Sequence, residues 1–168
     1  MIDNFVTSGE SKWAFQSALT LLLPHGYDGA GPEHSSARIE RFLQLTSDSL
    51  NEPNRNPNIH VAQPTTASQY FHILRRQMLR SYRKPLVLFT PKSTLRLPAM
   101  ASKLADLTEG SFKPVLTEDN LKNDGIKRVV FLSGQLYFKL SAEREKRGLQ
   151  GQISFVRLEV NHISCYPV

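Results

Sequence analysis

The chain has 168 residues, 40% apolar and 21% charged, with 21 Lys and Arg against 15 Asp and Glu for a formal net charge of +6. A chain of this length hides roughly 70% of its unfolded surface, enough for a core without staples, and its single Cys165 excludes an internal disulfide framework. The longest apolar runs, such as Leu19 to Leu23 interrupted by Thr20, fall far short of the ~20 residues that cross a bilayer, and Met1-Ile2-Asp3-Asn4-Phe5 has neither the basic start nor the apolar sequel of a secretory signal, so the expectation is an intracellular, soluble chain with no membrane partner.

Hydrophobic period predicts alternating strands and helices. Gly9 to Ser17 reads as a short helix, and Leu19 to Leu23, stopped by Pro24, as a strand buried on both faces of a parallel sheet. A Gly-rich loop from His25 to His34 follows, and Ser35 or Ser36 is placed to cap a helix through Leu45 whose Ile39, Phe42 and Leu43 share a face. Thr46 to Asn58, rich in Ser, Asn and Pro, reads as a surface loop. Ile59 to Ala62 is a short strand. Gln63-Pro64-Thr65-Thr66 then opens a helix with a capping box, Thr66 bonding forward and Gln69 back, and Tyr70, Ile73, Leu74, Met78 and Leu79 form its apolar side. Pro85 ends that helix and Leu86 to Phe89 is a third buried strand. A weaker helix is expected over Ala99 to Leu107, a linker over 109–126, a strand over Arg128 to Leu132, a helix over Leu136 to Arg147 and a strand over Ile153 to Leu158. The order is that of an α/β fold with mainly parallel pairing, in two sheets.

Chemistry concentrates between the first strand and its helix, where open α/β sheets bind ligands. Gly26, Gly29 and Gly31 run G-x-x-G-x-G, the reverse of a dinucleotide fingerprint, so that reading is rejected. What remains is a flexible path carrying His25, His34, Glu33 and Asp28 to a helix N-terminus, suited to a carboxylate or phosphate, with the imidazoles as donors or proton carriers. No metal site is expected, because His25, Glu33 and His34 lack both helical i, i+4 spacing and a Cys partner. A Ser/His/Asp hydrolase from Ser35, Ser36, His34 and Asp28 lacks the nucleophile elbow. His60 and His72, among apolar residues, read as packing groups. From Pro53 to Ala105 there is no acidic residue and there are nine cations. Arg75, Arg76 and Arg80, with Lys92, Ser93 and Arg96, are therefore expected to gather around an anion or phosphate. Aromatic interleaving is too sparse for nucleic acid.

The run Leu22-Leu23-Pro24-His25-Gly26-Tyr27-Asp28-Gly29-Ala30-Gly31-Pro32-Glu33-His34-Ser35-Ser36-Ala37-Arg38-Ile39-Glu40-Arg41-Phe42-Leu43 closely resembles the thiamine-diphosphate-dependent dehydrogenase component of the 2-oxoglutarate dehydrogenase complex. Ser8-Gly9-Glu10-Ser11-Lys12-Trp13, Pro64-Thr65-Thr66, Tyr70 to Gln77, Arg83-Lys84-Pro85-Leu86, Thr90-Pro91-Lys92-Ser93, Lys127 to Phe131 and Ser133-Gly134 extend the likeness over about residues 1 to 159. Within the family, His25 to Gly31 and Gln63 to Thr66 look more like the 2-oxoadipate-preferring mitochondrial paralogue. The resemblance implies a transketolase-type pyrimidine-binding domain (1–108), the 109–126 linker and the start of a C-terminal α/β domain (127–168). It also implies oxidative decarboxylation of a 2-oxo dicarboxylic acid with thiamine diphosphate and Mg, and acyl transfer to the lipoyl group of the succinyltransferase component. A homodimer and the mitochondrial matrix are further implications. By the same resemblance His25 and His34 are catalytic, Glu33, Ser35, Gly26 and Tyr27 meet the substrate, and Lys92, Ser93 and Arg96 correspond to a nucleotide or acyl-CoA regulatory region.

Family chains are several times longer. Set against them, this sequence lacks the diphosphate- and Mg-binding domain and the first part of the pyrimidine-binding domain with its cofactor-activating Glu, and after Glu159 it departs from the family's Pro-Phe-Pro segment. The expectation is a fragment that is inactive alone. The alternative is a short, non-catalytic protein that binds an anion or a partner through its basic stretch 53–105.

Overall fold

In the computed structural model the described residues are 1–27, 31–47, 57–122 and 124–160. The expectations that touch Asp28, Gly29, most of the Thr46 to Asn58 loop, and the tail with His162 and Cys165 lie outside them.

Among the described residues six strands make two three-stranded sheets. The first holds β1 (Thr20–Leu23), β2 (His60–Ala62) and β3 (Leu86–Phe89) in the order β1-β3-β2, all parallel. Leu23 pairs with Phe89, and Ala62 with Leu88, so all three carboxyl ends lie at one edge of the sheet. β3 is the central strand and is buried at every position. β1 lies at one edge of the sheet among the described residues, and its Leu22 is 51% exposed, which corrects the expectation of a strand buried on both faces: Leu21 and Leu23 pack on the cluster around Phe42, but no β1 residue joins the cluster on the α3 face.

Side chains alternate across a strand, and the two faces of this sheet receive different helices. Val61, Val87 and Phe89 pack with Phe42 of α2 (Ile39–Leu45), while Ala62, Leu86 and Leu88 pack with Ile73 of α3 (Ala67–Leu79). Thirteen residues of α3 span about 20 Å, whereas a four-residue strand covers about 13 Å. The helix therefore overshoots the sheet, and Met78 and Leu79, expected on the core face, are exposed at its end.

The N-terminal segment makes a π-turn over Ile2–Val6 and then α1 (Gly9–Trp13), which stops at Ala14 in the left-handed conformation. The expected helix over Ala99 to Leu107 is divided into a 3-10 turn at Pro98–Met100 and α4 (Leu104–Thr108), where Asp106 caps the start by accepting from the Lys103 N–H at 2.9 Å. The second sheet has the order β4-β6-β5, with β6 (Ile153–Leu158) antiparallel to β4 (Val115–Thr117) and parallel to β5 (Arg128–Leu132). The polar stretch read as a linker thus supplies an edge strand, and α5 (Leu136–Lys146) covers one face. Tyr137 and Arg144 of α5 meet the Phe155 ring at 6.0 and 4.4 Å. Arg144 also forks onto Glu118 at 2.6 and 2.8 Å.

Candidate functional site

The Gly-rich loop leaves β1 at the carboxyl edge of the first sheet. His25 is half-buried there, its ring edge-on to Phe89 at 5.6 Å, and its Nδ1 accepts the Ala37 N–H at 3.2 Å. An imidazole whose Nδ1 accepts carries its proton on Nε2 when neutral, so the fold presents His25 as an Nε2–H donor. The Gly26 N–H donates to the Ser35 carbonyl at 3.1 Å, closing the loop at its base beside both histidines. Between them Gly31 takes a φ of +104° against the Glu33 carboxylate, and Pro32–His34 forms a 3-10 turn. His34 Nε2 lies 3.2 Å from Glu33 Oε1. Tyr27 is 86% exposed.

Two local expectations are corrected. Ser35 and Ser36 do not cap α2: Ser35 Oγ donates to the Gly31 carbonyl at 3.0 Å, Ser36 Oγ accepts the Arg38 N–H at 3.2 Å, and Arg38, left-handed at φ 55°, precedes the helix. The serines serve the turn instead, and the only N–H of this region that meets a histidine among the described contacts is that of Ala37. The capping box of α3 is half made. Thr66 Oγ1 accepts the Gln69 N–H at 3.2 Å, but the Gln69 side chain turns away, donating to the Lys113 carbonyl at 2.6 Å and accepting the Lys113 N–H at 3.2 Å.

The basic residues are not brought together. α3 runs antiparallel to the strands it connects, so Arg75, Arg76 and Arg80 lie toward the amino end of β3, while Lys92, Ser93 and Arg96 follow its carboxyl end. Arg76 stacks over Phe112 at 5.2 Å, and Arg80 meets His60 Nε2 at 2.9 Å and the Tyr82 ring at 4.9 Å. Ser93 Oγ donates to Gln135 at 3.2 Å, across to the second sheet. This separation removes the basis for one anion site made by the whole stretch. His60 and His72 are buried, as packing groups should be, and His72 Nε2 meets the Asp106 carbonyl at 2.8 Å.

Two features went unread in the sequence. The first is a cavity of about 480 Å³ lined by Pro64, Thr66, Ala67 and Tyr70 together with Leu95 to Pro98 and Met100. The second is Glu159, fully buried against Thr65. Among the described residues no three His, Cys, Asp or Glu converge as a metal-ligand group, and no helix is long and apolar enough to cross a membrane.

Compared with known proteins, residues 1–98 match the transketolase pyrimidine-binding domain, and residues 101–167 match the 2-oxoglutarate dehydrogenase C-terminal family. The 2-oxoadipate dehydrogenase complex component E1 of Xenopus laevis is 46% identical over the whole of this chain, and that of Mus musculus 47% over 95% of it, in each case covering 18% of the relative. The 2-oxoglutarate dehydrogenase E1 component of Cupriavidus necator is 50% identical over 95% of the chain and 16% of the relative. The chain thus spans less than a fifth of the length of the curated relatives it matches.

Proposed function

The chain belongs to the transketolase pyrimidine-binding domain family, joined to a 2-oxoglutarate dehydrogenase C-terminal sequence, and from that premise we propose that it forms part of the active site of a 2-oxo acid dehydrogenase acting on a 2-oxo dicarboxylic acid. The observation that carries this reading is the hydrogen bond from the Ala37 N–H to His25 Nδ1 at 3.2 Å, which leaves the proton of the neutral ring on Nε2. Its Nε2–H is then a donor held at the carboxyl edge of a parallel sheet, where a carboxylate or developing oxyanion is stabilised by a hydrogen bond or a transferred proton. His34, 3.2 Å from the Glu33 carboxylate, supplies a second imidazole on the same loop. Gly26 and Ser35 hold the loop closed, and Tyr27 and Ser35 complete the substrate side.

Thiamine diphosphate is the cofactor of this reading and supplies the decarboxylation chemistry when bound. The described residues do not fit its metal ion, since no three His, Cys, Asp or Glu converge among them, and the reading assigns to this chain only the groups around His25. Assembly with a second copy and with a lipoyl-bearing succinyltransferase component, and residence in the mitochondrial matrix, belong to the same proposal; the names of the Xenopus and mouse relatives place those proteins in a complex.

The test is a chimera in which residues 1–159 replace the matching segment of the mouse relative, assayed for decarboxylation of 2-oxoadipate and 2-oxoglutarate. The chimera is expected to turn over at least one of them, and His25→Ala or His34→Ala to lower kcat about 10²-fold or more with the fold retained. Undiminished turnover in both variants overturns the reading.

A further inference from the structure

The two sheets meet along one seam, and a carboxylate is buried in it. Glu159 follows β6 and has no exposed surface. Its Oε2 accepts the Thr65 N–H at 2.7 Å, its Oε1 accepts the Thr65 hydroxyl, and its own carbonyl accepts the Gln63 N–H at 2.8 Å. Arg157 Nη1 donates to the same Thr65 hydroxyl at 3.0 Å while its guanidinium lies over the Tyr137 ring at 4.3 Å. Val160 bridges to Ala62 in antiparallel fashion and packs into the core cluster under α3. Across the seam, Gly134, left-handed at φ +61°, leaves so little room that a Cβ there would sit 2.4 Å from the Gln63 amide.

The hydrogen bonds of Glu159, the Arg157 bond to Thr65 and the close approach of Gly134 all end on Gln63 or Thr65 of the β2–α3 loop, 63–66. That loop leaves the sheet at the same carboxyl edge as His25, and its Pro64 and Thr66 form a wall of the 480 Å³ cavity. A short loop of this kind has few contacts of its own from which to take a shape. Here both hydrogen-bond donors of Thr65 are satisfied from the second sheet.

We propose that Glu159 is a positioning residue: acting through Thr65, it lets the second sheet set the shape of the β2–α3 loop and hence of the cavity wall at the site edge of the first sheet. The proposal does not rest on the dehydrogenase reading. The geometry tolerates either form of the carboxyl. A protonated Oε1 donates to Thr65 Oγ1, which has a second lone pair for Arg157, so the joint keeps its contacts with one hydroxyl reversed. Glutamine reproduces that arrangement, its amide N–H facing Oγ1 and its oxygen facing the Thr65 N–H.

The experiment is amide hydrogen exchange on the 168-residue chain and three variants. Glu159→Ala is expected to speed exchange at Thr65 and Gln63 about tenfold or more relative to Val87 and Leu88 in the central strand, and Glu159→Gln to restore wild-type rates there within about threefold. A merely structural loss would move all four amides together and would not be rescued by glutamine. The proposal is overturned if Thr65 and Gln63 exchange unchanged in Glu159→Ala, if Val87 and Leu88 accelerate equally, or if glutamine behaves like alanine. Should Glu159→Ala fail to fold, Thr65→Val carries the test: it removes the hydroxyl alone, local acceleration at Gln63 and Thr65 is expected, and unchanged rates overturn the proposal.

Discussion

The two nitrogens of His25 have separate jobs, and a substitution can separate them. Asparagine places an acceptor near the position of Nδ1 and nothing at Nε2. His25→Asn is therefore expected to keep the Ala37 hydrogen bond, seen as retained exchange protection of that amide, while turnover in the dehydrogenase chimera falls about as far as in His25→Ala, roughly 10²-fold. Equal loss of Ala37 protection in both variants would instead assign His25 to holding the loop. At this scale the sequence made His25 and His34 visible because loop and strand are neighbours along the chain. Glu159 was invisible for the opposite reason. Its partner Thr65 is 94 residues away, and no local pattern tells a solvated Glu at a strand end from one that a second sheet has closed over. The basic residues misled because charge was counted along the chain, while α3 carries three of them to the far end of the sheet from Lys92 and Arg96.

At the scale of the element, α3 shows what helix signals can and cannot say. Thr66 was readable as a cap, and Thr66→Ala is expected to cost about 1 kcal/mol. Gln69 was read as its reciprocal partner, but its amide is instead the clamp on the Lys113 backbone, making two hydrogen bonds there. Gln69→Ala is accordingly expected to cost more than Thr66→Ala, about 2 kcal/mol, and to loosen residues 112–114 rather than the helix start. The check is urea denaturation of both variants, with amide exchange at Lys113 as the local probe. Equal losses, with Lys113 unaffected, would return Gln69 to the capping box. Strand and helix identities followed from period alone. β4 did not, because three residues with Thr117 among them carry too little pattern to separate an edge strand from a linker.

For the whole molecule, one half-buried and one buried carboxylate make opposite demands on pH. Burial pushes the Glu118 carboxyl up, but the hydrogen bonds from Arg144 and from the Phe155 N–H, the Arg144 charge and the Tyr137 hydroxyl together outweigh it and hold it below the usual value. Its contribution to stability is thus present above its unfolded value, near 4.5, and is lost as pH falls through the lower folded one. Glu159 is shifted the other way. Burial is the largest influence and raises it, against the lowering effect of the two Thr65 hydrogen bonds and the Arg157 charge. A carboxyl that holds its proton more tightly when folded contributes fully below its unfolded value, and that contribution fades as pH rises through the folded one. Glu118→Gln is therefore expected to be less stable than wild type at neutral pH, by a margin that shrinks below about pH 4.5. Glu159→Gln, which keeps the Thr65 contacts without a charge to bury, is expected to match wild type in acid and to exceed it increasingly toward neutrality. Urea midpoints of the three chains measured from about pH 3 to 7 decide the matter: curves that diverge from wild type in these opposite senses bear out both assignments, while two variants that run parallel to wild type would show that neither carboxyl changes its proton affinity on folding. Because Glu159 sits on the seam and Glu118, just after β4, ties α5 to β6, the pair also reports which part yields first. Cooperative loss in acid would begin at Glu118, in the sheet that carries Glu159, and so release the β2–α3 loop before the first sheet's own core opens.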